Sequence, residues 1–456
     1  MAISQESKGN LNLSPAPRPK GLPILGLLPQ LSRDPLGFFT RMGHANPTLV
    51  RLDLGPRHMN LVTHPTWVRY ILQDNHRNYM KGYGTARTVL GNGLVTAEGE
   101  EWMRERRLMQ PAFNRSHLET LLPLMASATQ EALDDWGGRT AQGQPLDMAR
   151  EFMLLTQTII VRTMFSVDLG EQAVEIASAF ATSLEYLNAI LLSPVPHVEK
   201  LPTAINRRFK RSKQFLDEVI ANILRSRREK GQERRDLVAM LMAARDEESG
   251  QGMSDQQMHD EIITIFLAGH ETTATLLAWT VYLLALHPQV EEQVRAEFER
   301  ELGSETPGME EISCLTYTRQ VLEEALRLYP PAWIFARTPV EDDSIGGYRL
   351  PAGEMVMLSP YATQRMPEFW PQPETFDPSR FSPEASAGRP NYAWFPFGGG
   401  PRLCIGKPFA LMEAPLILAM LMRRFRLNLA PGQHVHPQPV ASLRPKPAIW
   451  MHFKPI

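Results

Sequence analysis

The stretch FGGGPRLCIG at residues 397–406 decides the fold of this 456-residue chain. Three consecutive glycines let the backbone turn tightly and approach a flat partner, because no Cβ stands in the way. Cys404 can act as a thiolate, and Arg402 offers a fixed fork of donors suited to a carboxylate. The combination suggests a binding loop for an iron porphyrin with propionate arms. A buried structural thiol is the alternative that the loop alone leaves open.

The composition is that of a globular chain and excludes several classes of function. Hydrophobic residues make up 43% and charged residues 21% of the chain. The net charge of -2 argues against a nucleic-acid binder, which usually has a basic excess. Only Cys314 and Cys404 occur, so no disulfide framework is implied and a reducing compartment fits best. A cytoplasmic location and a monomeric protein are expected.

The N-terminal segment has neither a secretory signal nor an apolar anchor. Residues 1–20 are predicted to be a flexible, proline-rich lead-in, and residues 21–456 one catalytic domain without a membrane anchor. The apolar segment from Ile262 to Leu286 has the length of a membrane span, but it contains His270 and Glu271. A helix buried in a large core is the better interpretation.

Apolar spacing predicts mainly helices, with a small β-rich portion. The helical pattern runs from about residue 100 to 330, with a capping box at Ser254 and a helix end before Pro288. Residues 202–231 predict a basic amphipathic surface helix. Strands are predicted within residues 48–61 and 344–358. Without a glycine- or serine-rich linker, these elements are expected to form one domain.

A second chemical signal is the run AGHETT at residues 268–273, in the middle of the long apolar helix. A buried carboxylate next to a hydroxyl is costly unless something uses both groups. Gly269 weakens the helix by about 1 kcal/mol relative to alanine, and it permits a local bulge and the close approach of a ligand. The alternative is a threonine that bonds back to the preceding turn and an acid that faces water.

The spacing of Phe397, Gly400, Arg402, Cys404 and Gly406 resembles the haem-binding signature of the cytochrome P-450 haem-thiolate monooxygenases. The resemblance extends in motif order from about residue 20 to the end of the chain. It implies the mainly α cytochrome P-450 fold, with haem b between the long central helix and the helix after the cysteine. It also implies that Cys404 is the axial ligand of the haem iron.

In that family, an acid and the threonine after it deliver protons during the reduction of dioxygen. By resemblance, Glu271 takes the role of the acid and Thr272 that of the hydroxyl. His270 receives no catalytic role.

The resemblance further implies a structural cluster and a set of propionate donors. The helix residues Glu324 and Arg327 correspond to the family's Glu-x-x-Arg pair, which an arginine of the following meander completes. Arg380 is the candidate for that arginine. The run QRMP at residues 364–367 departs from the His-Arg-Asp-Pro-like run of many members, which concerns the hydrogen bonding of the meander. The residues expected at the haem propionates are Trp102, Arg106, Arg337 and Arg402.

The implied function is the insertion of one oxygen atom of O2 into a C–H or C=C bond of a hydrophobic small molecule. A terpenoid, steroid, fatty acid or macrolide-like substrate is expected, with electrons from a separate ferredoxin or flavodoxin and its reductase. The alternatives are a haem-thiolate peroxygenase or isomerase, which needs no acid–threonine pair, and a non-enzymatic haem sensor. The pocket expected by analogy is lined by Ile263, Phe266, Leu267, Ile334, Phe335 and three segments, residues 82–94, 187–192 and 440–443.

Overall fold

A computed structural model describes residues 13–165, 172–191, 201–230, 236–303 and 306–456. The chain forms two compact units that alternate along the sequence. The first unit consists of Met1–Gly82, Trp333–Glu374 and Gly388–Leu403. The second unit consists of Tyr83–Ala332, Thr375–Ala387 and Cys404–Ile456.

The described chain is mainly helical, as the apolar spacing predicts. In chain order the α-helices are α1 (Leu28–Arg33), α2 (Pro35–Ala45), α3 (Pro65–Arg69), α4 (Arg87–Leu90), α5 (Gly99–Met109), α6 (Arg115–Ala141), α7 (Met148–Phe165), α8 (Gln172–Leu191), α9 (Ala204–Lys230), α10 (Leu237–Ala243), α11 (Asp255–Leu286), α12 (Pro288–Glu301), α13 (Met309–Cys314), α14 (Thr316–Leu328), α15 (Pro360–Thr363), α16 (Pro383–Ser386) and α17 (Lys407–Arg424). The strands are β1 (Val50–Leu54), β2 (Arg57–Val62), β3 (Tyr79–Met80), β4 (Leu146–Asp147), β5 (Phe335–Pro339), β6 (Asp343–Ile345), β7 (Tyr348–Leu350), β8 (Val356–Leu358), β9 (Phe425–Leu429), β10 (His436–Pro439), β11 (Leu443–Lys446) and β12 (Trp450–Pro455).

The first unit contains the two predicted strand regions. The alternating residues 48–61 form the β1–β2 hairpin of a five-stranded sheet with the order β1-β2-β8-β5-β3. In this sheet β2 pairs with β8 in parallel, and the other pairs are antiparallel. The second predicted region forms the β6–β7 hairpin and then β8. The strand predictions are therefore confirmed.

The second unit is built around the 32-residue helix α11. The capping box is present, since Ser254 Oγ accepts from Gln257 N at 3.2 Å and Gln257 Oε1 accepts from Ser254 N at 3.0 Å. The helix ends at Leu286, before Pro288, as predicted, and α12 begins at Pro288. By length and composition α11 could cross a membrane, but 83% of its most apolar window is buried in the protein. The unit also contains the sheet β4-β12-β9 and the hairpin β10–β11.

The glycine in the middle of α11 lies against α7. The helix is continuous through Gly269, so the bulge that a glycine would permit is not formed there. A Cβ added at Gly269 would lie 3.2 Å from Cδ1 of Ile160 in α7. That distance is tighter than ordinary van der Waals contact, so the missing side chain lets α7 and α11 approach each other closely.

Two predicted segments reach the limits of the described residues. The basic amphipathic helix is α9, and its predicted end at Gly231 lies outside them. The proline-rich lead-in is described from Leu13 onward, where Ser14 N donates to Gly347 O at 3.1 Å and Arg51 N donates to Pro17 O at 2.9 Å. This part of the lead-in is extended.

The departure at residues 364–367 is accommodated within the first unit. Gln364 is buried, and its Oε1 accepts a hydrogen bond from Phe395 N at 3.0 Å. The neighbouring Arg365 lies 3.7 Å from the centre of the Tyr361 ring and pairs with Glu374 at 3.1 Å. An amide side chain therefore holds the loop segment that contains Phe395.

A buried ion-pair cluster joins α14 to the segment after Thr375 in the second unit. Arg327 donates from Nε and Nη2 to the two carboxyl oxygens of Glu324 at 2.7 and 2.8 Å. Glu324 also accepts from Asp377 N at 3.0 Å, and its carboxylate lies 3.6 Å from Arg380 Nε. Neither Glu324 nor Arg327 is exposed to solvent. Burial raises the pKa of Glu324, and Arg327 opposes that shift.

We expect Arg327→Ala to lower the free energy of unfolding by about 3–5 kcal/mol, because it leaves the carboxylate of Glu324 buried without its bidentate partner. Chemical denaturation followed by circular dichroism measures the loss. Arg349→Ala is the matched control, since Arg349 and Asp342 form an ion pair whose side chains are 61% and 60% exposed. We expect that control to lose less than about 1 kcal/mol. Equal losses for the two variants would contradict the structural role of the cluster.

Candidate active site

Two of the three consecutive glycines at 398–400 are required by packing within the first unit. Gly400 has φ +64°, and a Cβ there would lie 1.8 Å from the carbonyl oxygen of Leu72. A Cβ at Gly399 would lie 2.3 Å from the ring of Tyr392, whose hydroxyl donates to Gln73 Oε1 at 3.0 Å. These glycines therefore let the loop lie directly on protein. The sequence suggested only the approach to a flat ligand.

The cysteine follows this loop and begins the next segment of the second unit. Cys404 is exposed, and a Cβ added at Gly406 would meet only the Cys404 sulfur, at 3.9 Å. Helix α17 starts at Lys407, so its N-terminal backbone N–H groups lie near the thiol in sequence. The partial positive charge at a helix N-terminus favours a nearby anion. Phe409 and Met412 bury the first turns of α17 in the core.

The predicted propionate donors are divided between the two units. In the second unit, Trp102 is buried and Arg106 half-buried on α5. Burial lowers the pKa of the Arg106 guanidinium, and the charge of Cys404 opposes that shift. Arg106 and the sulfur therefore act on each other electrostatically. In the first unit, Arg337 is buried, donates to Ala336 O at 2.8 Å and lies over the Phe335 ring, and Arg402 is half-buried.

The acid of α11 is held by the hairpin β10–β11. Oε1 of Glu271 accepts from Ser442 Oγ at 2.5 Å and from Arg444 Nε at 2.6 Å. Nη2 of Arg444 lies 2.5 Å from the same oxygen. The side chain of Glu271 is 5% exposed and that of Arg444 is 37% exposed. Neither partner was predicted, because their separation of about 170 residues leaves no local pattern in the sequence.

The hydroxyls next to the acid bond back to the helix. Thr272 Oγ1 donates to Ala268 O at 2.9 Å, as the structural alternative described for this threonine requires. Ala268 and Thr272 are exposed, although most of α11 is buried. Because they are four residues apart, they lie on one face of the helix. This face therefore offers a hydroxyl to a ligand beside α11.

His270 is occupied structurally. Its Nδ1 lies 2.7 Å from the carbonyl oxygen of Phe266, and its own carbonyl accepts from Thr156 Oγ1 at 2.9 Å. Burial lowers the pKa of His270, with the hydrogen bond to Phe266 opposing the shift. A neutral, core histidine agrees with the absence of a predicted catalytic role.

One acid near this region was missed by the sequence interpretation. Glu413 lies on α17 and is buried, and burial raises its pKa to about 8 while a hydrogen bond with Thr273 opposes the shift. At neutral pH its carboxyl is therefore mostly protonated. The signal in the sequence was a single glutamate inside the apolar run of residues 409–422. Each threonine therefore has an acid beside it. Glu271, which forms an ion pair, precedes Thr272 in the sequence, and protonated Glu413 is hydrogen-bonded with Thr273.

A second buried pair of acids links α5 to α11. Glu105 is 1% exposed and Glu261 is 0% exposed, and neither forms an ion pair within the described residues. Burial raises the pKa of Glu105 to about 7. Burial and the charge of Glu105 raise the pKa of Glu261. The pair therefore holds at least one proton near neutral pH.

The predicted pocket residues are found in both units. On α11, Ile263, Phe266 and Leu267 are buried. The Phe266 ring stacks on Phe180 with centroids 3.5 Å apart, so this residue packs within the core. In the first unit, Ile334 and Phe335 are half-buried. The roles of all five in substrate binding remain predictions.

Comparison with known proteins identifies the family. Residues 15–452 match the family model described as Cytochrome P450. The chain is 38% identical to cyclooctatin synthase of Streptomyces melanosporofaciens, covering 94% of this chain and 93% of that protein. It is 34% identical to pentalenene oxygenase of Streptomyces avermitilis, covering 93% and 94%. The crystal structure of the cytochrome P450DA heme domain has a TM-score of 0.88 and 28% identity, covering 97% and 98%.

The chain belongs to the cytochrome P450 family and has its fold. It is a haem-dependent monooxygenase that incorporates one atom of O2. The donors of the second unit fit haem, because the exposed thiol of Cys404 and the half-buried guanidinium of Arg106 interact electrostatically. They are a soft ligand for iron and a cation for a propionate. The prediction of the family, the fold and the cofactor is confirmed.

We expect Glu105→Gln to stabilise the protein at alkaline pH, because it removes a carboxyl that must ionise in a buried place. The pKa of Glu105 rises from the ordinary 4.5 to about 7 on folding. The folded protein therefore favours the protonated form of Glu105. The contribution of this group to the free energy of unfolding is largest at low pH, and it falls as the pH rises from about 4.5 to about 7.

Thermal unfolding from pH 5 to pH 8 measures the effect. The variant should lose less stability than the wild type over this range, by on the order of 1–3 kcal/mol. Glu100→Gln is the control, because Glu100 is exposed on the same helix and does not contribute to the pKa shift of Glu105. An identical pH dependence in wild type and Glu105→Gln would contradict the buried-acid interpretation.

Proposed function

We propose that this P450 hydroxylates or epoxidises a hydrophobic terpenoid, with electrons from a separate ferredoxin or flavodoxin and its reductase. The observation that carries the substrate class is the similarity to relatives named for terpenoid chemistry. Besides the two relatives described above, cyclooctat-9-en-7-ol 5-monooxygenase of Streptomyces melanosporofaciens is 36% identical over 91% of this chain. The predicted pocket residues on α11 are apolar, which suits such a substrate.

The cytoplasm is the proposed location. One catalytic domain over residues 21–456 and a monomeric protein remain part of the proposal.

The proposed roles at the cofactor follow from the chemistry of the side chains. Bound haem supplies the iron at which O2 is activated. Cys404 would hold that iron as a thiolate, which donates electron density and favours O–O cleavage. Trp102, Arg106, Arg337 and Arg402 would donate to the propionates. Glu324, Arg327 and Arg380 would hold the segment after Thr375 in place.

The proposed proton path begins at the acid of α11. Glu271 would take up a proton from water and pass it toward the exposed hydroxyl of Thr272. Because that hydroxyl donates to Ala268 O, it has lone pairs that can accept a second hydrogen bond. Glu413, protonated near neutral pH, would keep a further proton beside Thr273.

The ligand assignment is tested by Cys404→Ser. The reduced, carbon-monoxide-bound wild type should show the strongly red-shifted Soret band of thiolate ligation, and the variant should lose it, because a hydroxyl does not replace a thiolate donor. Cys314→Ser is the matched control, since Cys314 is also exposed but lies at the end of α13. That control should keep the red-shifted band. A thiolate spectrum in haem-loaded Cys404→Ser protein would contradict the assignment.

The substrate class is tested by spin-state titration of the ferric protein. Pentalenene and cyclooctat-9-en-7-ol should each shift the haem toward high spin, because an apolar ligand excludes water from the iron. Lauric acid serves as a probe of another hydrophobic class. We expect it to bind at least about tenfold more weakly than the better terpenoid, a difference of about 1.4 kcal/mol. Tighter binding of lauric acid than of both terpenoids would contradict the terpenoid proposal.

A further inference from the structure

The carboxyl group of Glu271 is bound asymmetrically. Its Oε1 lies within 2.6 Å of three donor atoms, which belong to Ser442 and Arg444. Its Oε2 receives no hydrogen bond from any residue in the described part of the chain. Charge-assisted hydrogen bonds of this length are strong and directional. The side chain is therefore held by one oxygen, and the other oxygen is left to exchange a proton.

The donors come from a hairpin that is itself attached to α11. Trp279 Nε1 donates to Leu443 O at 2.8 Å, and Leu443 N donates to Pro331 O at 3.0 Å. The Trp279 ring stacks on Tyr329 with centroids 3.8 Å apart. Glu271 and Trp279 are eight residues apart, which is about 12 Å along the helix. The hairpin thus contacts α11 at two positions along the helix, Glu271 and Trp279. Leu443, which is bonded to Trp279, lies in sequence between Ser442 and Arg444, which are bonded to Glu271.

Two of the three side chains in these contacts are nearly excluded from solvent. Ser442 is 4% exposed and the side chain of Glu271 is 5% exposed, whereas the side chain of Arg444 is 37% exposed. A buried carboxylate without its partners is strongly unfavourable. The arginine satisfies that charge from the more solvated side, and the serine hydroxyl does so from the buried side.

We propose that Arg444 and Ser442 are positioning residues for proton delivery by Glu271, an inference that rests on the acid role given to Glu271 in the proposed function. They hold Oε1 and leave Oε2 without a protein donor in the described part of the chain. In the proposed path, a proton from water binds Oε2 and is then passed on toward the Thr272 hydroxyl, which regenerates the carboxylate. The hairpin is thereby a working part of the oxygen-reducing machinery.

The experiment measures how reduced oxygen is divided between peroxide and water. A plant-type ferredoxin, its reductase and NADPH supply the electrons, with no organic substrate added. Reduction of O2 to H2O2 takes two electrons and two protons and consumes one NADPH. Reduction to two H2O takes four of each and consumes two NADPH. The ratio of NADPH to O2 therefore reports whether protons reach the oxygen before peroxide leaves.

We expect Arg444→Gln to lower the rate of water formation about tenfold and to raise the share of peroxide, because a misplaced acid transfers its proton slowly. Ser442→Ala should also lower the rate of water formation and raise the share of peroxide, by a smaller factor. This variant tests the proposal if Arg444→Gln does not fold. Glu271→Gln should have at least the effect of Arg444→Gln. The double variant should be no worse than Glu271→Gln alone, since both changes remove one interaction. Lys446→Gln removes an exposed cation from the same strand and should match the wild type.

A second readout separates positioning from stability. The infrared carboxylate bands that Glu271→Gln removes should shift in Arg444→Gln, and the solvent deuterium isotope effect on water formation should increase. A merely structural arginine would lower the unfolding temperature and leave the isotope effect and the NADPH to O2 ratio unchanged.

The outcomes distinguish two failures. If Glu271→Gln changes the oxygen partition and neither Arg444→Gln nor Ser442→Ala does, the positioning role is wrong and the acid role stands. If Glu271→Gln itself matches the wild type, the acid role fails and the inference fails with it.

Discussion

Burial of polar side chains in α11 is the constraint on which the second unit depends. Most of the helix is enclosed by apolar residues, yet its middle carries Glu271, His270 and several threonines. Three of these groups find partners in different ways. The Thr272 hydroxyl donates to a carbonyl one turn back, His270 meets the carbonyl of Phe266, and Glu271 takes its partners from the hairpin β10–β11. The contacts of Glu271 span the greatest distance in sequence, because they hold a segment about 170 residues away.

The same constraint separates the acids into two kinds. Glu271 has a cation within hydrogen-bond distance. For Glu413 and Glu105, burial is the largest cause of the raised pKa values of about 8 and about 7. Carboxyls whose environments differ in this way can divide the roles of acceptor and donor at one pH.

Local patterns were enough to predict the elements and the family. The capping box at Ser254, the alternation of β1 and β2 and the spacing around Cys404 each depend on residues that are close in sequence. Contacts between distant segments were not predictable in this way. The clamp of Arg444 on Glu271, and the burial of Glu105 and Glu261 on different helices, depend on how helices and hairpins pack. The packing of Gly269 against Ile160 of another helix was missed for the same reason.

If the substrate is apolar, the contacts that Ser442 and Arg444 make with Glu271 become more important for proton transfer. The proposed terpenoid would have few polar groups for hydrogen bonds with the enzyme, so its position would come mainly from shape and burial. The placement of protons would then depend on side chains of the protein. The hairpin that holds Glu271 also carries Val440 to Leu443, the segment expected beside the substrate by analogy. Because Leu443 is hydrogen-bonded to Trp279 and Pro331, displacement of this segment by a badly fitting ligand would strain the contacts that aim the acid. Through the hairpin β10–β11, the fit of an apolar ligand would in this way affect how well Glu271 delivers a proton.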